Sequence, residues 1–138
     1  MKTQRVTAHI EISPGELIDR HTILVIKSRR IADTAKLATV RTELDRLSEL
    51  TGRLPWDGQL EQLAGDLLAI NSDLWQIEDD LRDCERERRF GEHFVELARS
   101  VYHRNDARAA TKQKIDLHLD SHLTEVKSYA SLGAAGAP

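Results

Sequence analysis

A mainly α-helical fold is what this sequence predicts: an antiparallel bundle of three long helices, the first one kinked, with a short N-terminal β-strand. Three observations carry the prediction. Ser13-Pro14-Gly15-Glu16 is a helix-start signal. From Leu60 to Cys84 the apolar positions recur in alternating steps of three and four. The same periodicity returns from Phe94 to Leu119 with polar residues in its middle. Such steps place residues on one face of a helix, whereas a strand repeats every second residue.

The elements follow in order. Val6, Ala8, Ile10 and Ile12 alternate with Arg5, Thr7, His9 and Glu11, the pattern of a short strand. Serine as N-cap, proline at the first helical position and glutamate at the third then open a helix with a capping box. Its apolar residues, Leu17, Ile18, Ile23, Leu24, Val25, Ile26 and Ile31, cover a wide arc, so it is expected to be the central helix. The register slips before Leu37, Val40, Leu44 and Leu47, which predicts a kink or short break near Ala32-Asp33-Thr34. Gly52 and Pro55 end that helix, and Asp57 caps the next. This one carries a coiled-coil-like seam of Leu60, Leu63, Leu67, Ile70, Leu74, Ile77, Leu81 and Cys84, with Gly91 expected to mark its end. In the last segment the stripe reads Phe94, Ala98, Val101, Asn105, Arg108, Lys112, Ile115, Leu119. Either the helix breaks at Asn105, a good N-cap, or one continuous helix turns three polar groups toward the bundle interior. Val126 to Tyr129 would extend beside the first strand. Residues 1–132 are expected to form one helical-bundle domain and 133–138 a disordered tail of small residues.

Composition bounds the function. A chain of 138 residues with a net charge of −3 and 31% charged residues has neither a polyanion-binding surplus nor an acidic tail, so nucleic acid is an unlikely partner. The basic stretch Arg104 to Lys114 has only Tyr102 beside it to stack a base. One cysteine, Cys84, excludes an internal disulfide. No run approaches the roughly 20 apolar residues of a membrane span, so a cytoplasmic protein without membrane contact is expected. A narrow seam on so long a helix would leave apolar surface for a second copy, and a homodimer is a further expectation.

One helix face stands out. Trp75, Glu78, Asp79 and Arg82 lie at spacings of three, four and seven, beside the seam but not on it. Carboxylates next to a shielded indole must be paired or bind a cation. If the last helix is continuous, Asn105, Arg108 and Lys112 face inward, and buried cations need anions. Glu78 and Asp79, or Glu16 and Asp19, would supply them. A closed set would be a structural ion-pair network in a scaffold protein. An open one would be a site for a small anionic ligand or partner, with Arg82, Arg108 and Lys112 as anion contacts and Trp75 as a wall. The leading expectation is therefore a non-enzymatic binding or assembly module without a cofactor. The alternative is an enzyme in which Glu16, Asp19, Glu78 and Asp79 hold Mg²⁺ against a nucleotide, an arrangement that looks like that of the all-α nucleoside triphosphate pyrophosphohydrolases.

The segments I-S-P-G-E-L-I-D-R at Ile12 to Arg20, I-L-V-I-K at Ile23 to Lys27, L-W-Q-I-E-D-D-L-R at Leu74 to Arg82, and E-L-A-R-S-V-Y-H-R-N-D-A-R-A at Glu96 to Ala109, with K-S-Y at Lys127 to Tyr129, resemble a small uncharacterised family of bacterial and phage proteins, a domain of unknown function. The resemblance spans nearly the whole chain and implies no activity. At His21 and Val25 the chain departs from that pattern, which has an apolar residue and a glutamate there.

Overall fold

The structure is a computed structural model, and it describes residues 4–123. Four α-helices lie within them: α1 (Pro14–Arg30), α2 (Thr34–Gly52), α3 (Gly58–Arg86) and α4 (Glu92–His118). This corrects the expected three-helix bundle with a strand in two places. The first helix is not kinked but divided, and no strand occurs among the described residues.

Both corrections have physical causes. Ser13 Oγ accepts the Glu16 amide at 3.1 Å, so α1 begins where the capping signal places it. It ends at Ile31, whose backbone is extended, and Asp33 then caps a new helix by accepting the Lys36 amide at 3.0 Å. A side-chain cap satisfies an orphan amide only where a helix starts afresh. The chain therefore reverses between Arg30 and Thr34, and α2 runs back along α1, with His21 Nε2 3.0 Å from Ser48 Oγ. Residues 4–13 carry the alternating pattern without a ladder, and Val6 and Ile10 are 90% and 80% exposed. Alternation is a property of one segment, but a strand needs a second. The partner expected at Val126 to Tyr129 lies outside the described residues, as does the tail at 133–138.

Asp57 caps α3 by accepting the Leu60 amide at 2.7 Å. Its carboxylate also meets His118 Nε2 at 2.8 Å, which ties the start of α3 to the end of α4 and fixes the two as antiparallel. Helix α3 ends at Arg86, before the expected Gly91. Arg88 takes the left-handed conformation (φ 52°), and the Arg89 amide donates back to the Cys84 carbonyl at 2.8 Å, a Schellman-type stop. Gly91 instead precedes the first turn of α4, where Phe90 and Phe94 meet edge to face at 5.3 Å. Helix α4 is continuous through Asn105.

Helix α1 is central, as its wide apolar arc predicts, and packs against α2, α3 and α4. The α3–α4 pair is the most extensive packing, whereas α2 lies along α1 alone. The core gathers Ile18, Leu60, Leu63, Leu67 and Ile115 at the end of the bundle where α1 and α3 begin and α4 finishes. Farther along the seam Leu74, Ile77 and Leu81 are half-buried, and Cys84 is buried. At the same end as that core α1 and α4 come unusually close. The Gly15 amide donates to Asp116 Oδ1 at 2.7 Å, and an added Cβ at residue 15 would lie 2.5 Å from the Lys112 carbonyl oxygen.

Candidate functional site

The polar stripe of α4 enters the bundle, and α1 receives it. Asp19 is 1% exposed, and isolated burial of a carboxylate would be costly. It is met on every side. Arg108 Nε donates to Asp19 Oδ1 at 2.9 Å and Arg108 Nη2 to Oδ2 at 2.5 Å, a bidentate pair. The Asn71 amide donates to Asp19 Oδ1 at 2.9 Å and to Thr22 Oγ at 2.8 Å, while Thr22 Oγ donates to the Asp19 carbonyl at 2.7 Å. One turn away, Lys112 Nζ lies 2.6 Å from Glu16 Oε2 and 3.9 Å from Asp19 Oδ2. Glu16 also accepts from Arg20 at 3.0 Å. Burial acts to raise the Glu16 pKa, but the ammonium of Lys112 and the guanidinium of Arg20 outweigh it and hold this carboxyl below its ordinary value. Three helices are thus joined through a network that is mostly out of water.

Beside this network opens a cleft of about 420 Å³ between α1, α3 and α4. Six residues singled out from the sequence, Trp75, Glu78, Asp79, Arg82, Asn105 and Arg108, line it. The seventh, Lys112, lies outside it, in the ion network. Ile23, Ile26 and Leu74 supply apolar surface, and Asn71 sits where network and cleft meet. Trp75 is half-buried, Asp79 half-buried and Glu78 exposed at the rim. Neither carboxylate forms an ion pair or a side-chain hydrogen bond among the described residues, and Arg82 forms none either. Their i,i+3 and i,i+4 spacing would permit pairing with Arg82, but the side chains do not take it up.

The ions distribute differently from the simplest expectation. Arg108 and Lys112 find their anions in Asp19 and Glu16, not in Glu78 and Asp79. Glu16 and Asp19 are thereby matched with cations. Among the described residues no group of three or more His, Cys, Asp or Glu gathers to hold a metal. The four carboxylates of the Mg²⁺ alternative therefore fall into two sets with different jobs. The histidines are similarly dispersed: His118 faces Asp57 and His122 faces Glu11. Cys84 is a buried, packed thiol.

Asn71 and Thr22 carry the network and were missed from the sequence. The signal was present in Asn71, a polar residue adjoining Ile70 on the flank of an otherwise apolar seam. Thr22 gave none, because threonine inside a wide apolar arc is equally at home bonding its own helix backbone.

Compared with known protein families, curated proteins and solved structures, the chain matches none. No helix among the described residues is long and apolar enough to cross a membrane.

Proposed function

We propose that this protein is a non-enzymatic binding module and that the α1–α3–α4 cleft holds a small ligand bearing a cationic group. The observation that carries this reading is the position of Glu78 and Asp79, two carboxylates that form no ion pair among the described residues, beside the indole of Trp75 in a cleft of about 420 Å³. A cation set against an aromatic face and within reach of carboxylates gains from both, and shielding from water strengthens each term. The cations Arg108 and Lys112 are held by Asp19 and Glu16, so the charge left at the cleft is two carboxylates against Arg82. Arg82 and Asn105 add a counter-charge and an amide for an anionic or polar end of the same ligand.

The chain has two tryptophans, and Trp56→Phe leaves Trp75 as the only indole reporter. Tetramethylammonium or spermidine titrated into that variant is expected to change Trp75 emission saturably. Asp79→Asn and Glu78→Gln should each weaken binding by about tenfold, the usual scale for losing a charge-assisted contact. Emission that responds to neither cation overturns the reading. The Asp19-centred network would then stand alone, as the structural ion-pair cluster of a scaffold protein. That second reading is favoured by one observation, the bidentate Asp19–Arg108 pair completed by Asn71.

A further inference from the structure

The Asp19–Arg108 pair has two open sides. Beyond the cleft on α3, a second cavity of about 420 Å³ lies between α1 and α2, and Ile23 and Arg108 line both. Its charge balance is reversed. Arg20, Lys27, Glu43 and Arg46 line it along with the buried pair. Asp19 is matched by Arg108, and Glu16 is shared between Lys112 and Arg20. Among the described residues, Lys27 and Arg46 form no ion pair, and Glu43 is the one remaining carboxylate on the lining. The surplus is cationic.

Helical spacing makes this arrangement. Arg20, Ile23, Leu24 and Lys27 fall at steps of three, one and three on α1, a single face. Glu43, Arg46 and Leu47 present the facing side of α2, which runs antiparallel and packs on α1 alone. Two cations from different helices thus border one concavity with an apolar floor of Ile23, Leu24 and Leu47.

We propose that the α1–α2 cavity is an anion site for a compact dianionic group of the phosphate class, with Lys27 and Arg46 as its principal contacts and Arg20 as a third donor. Arg20, Lys27 and Arg46, set against Glu43, leave a cationic surplus that suits a dianion better than a single carboxylate. The guanidinium of Arg46 offers two parallel donors to an oxyanion, and the Lys27 ammonium acts as a point charge. This site is separate from the proposed cation cleft, and each can fail without the other.

The test is a calorimetric titration of the full chain with inorganic phosphate near pH 8, at low ionic strength because the cavity is open to solvent. Saturable binding is expected, with acetate binding at least about tenfold more weakly. Lys27→Gln and Arg46→Gln should each weaken phosphate binding by about tenfold. Glu78→Gln, in the other cleft, should leave it unchanged. Both cavity substitutions fall on side chains that make no ion pair among the described residues, and circular dichroism verifies that the variants stay folded. The proposal is overturned if phosphate does not saturate, if acetate binds as tightly, or if binding ignores both Lys27→Gln and Arg46→Gln.

Discussion

Gly15 sets how closely α1 can approach α4. Its amide is bonded to Asp116 Oδ1, and the space a Cβ would need is occupied by the Lys112 carbonyl oxygen at 2.5 Å and by Asp116 Oδ1 at 2.8 Å. A backbone oxygen in a helix cannot step aside, so Gly15→Ala must push the helices apart. That strains the Glu16–Lys112 pair one residue away. The expected cost is roughly 3 kcal/mol, at the upper end for overpacking, read as a lower urea midpoint at unchanged slope. Gly65 in α3 is the control, because nothing lies within 4 Å of its added Cβ. Gly65→Ala should stabilise by about 0.5–1 kcal/mol through helix propensity alone. The sequence marks both residues only as glycines near a helix. The difference between them is a contact with residues about a hundred positions away, so no local pattern distinguishes them.

At the scale of elements, what was readable was what is decided locally. Ser13 and Asp57 start helices because a capping side chain bonds an amide three residues ahead. The three-and-four repeats of α3 and α4 fix their faces for the same reason. Three features depended on a partner. Asp33 would suit a kink or a fresh helix start, and the fold-back onto α1 decides it. Asn105 suits an N-cap, yet α4 runs through it because Asp19 and Glu16 wait for the cations that follow. The end of α3 was misplaced because glycine is the usual left-handed stop, and here Arg88 holds that conformation at φ 52°. A side chain in this region costs about 1–2 kcal/mol, part of which glycine returns as chain entropy. Arg88→Gly is therefore expected to raise stability by roughly 0.5–1 kcal/mol. A thermal midpoint at or below that of the wild type would show that Arg88 makes a compensating interaction.

Across the whole molecule, groups at the contacts between helices respond to acid in the same direction. His21 faces Ser48 on α2 and lines a cavity with Thr22, Arg29, Thr51 and Trp56. Burial pushes its imidazole below the ordinary value of 6.5. As pH falls through 6.5 the unfolded chain takes up this proton first, so folding loses stability until the folded pKa is passed. Glu16, where Lys112 and Arg20 outweigh the upward push of burial, and Asp57, where the Leu60 amide leads and His118 assists, are held below their ordinary values of 4.5 and 3.8. Each contributes stability that is full above its ordinary value and is lost as pH falls through the depressed one. Urea midpoints should accordingly be level from pH 8 to 7, fall gently below 6.5 as His21 is left unprotonated in the fold, and fall again below 4.5 as Glu16 and then Asp57 are neutralised. His21→Gln keeps a partner for Ser48 but cannot titrate, so it should remove the first decline and leave the second. If His21→Gln and wild-type midpoints coincide from pH 7 to 5, the first decline does not arise at the α1–α2 contact.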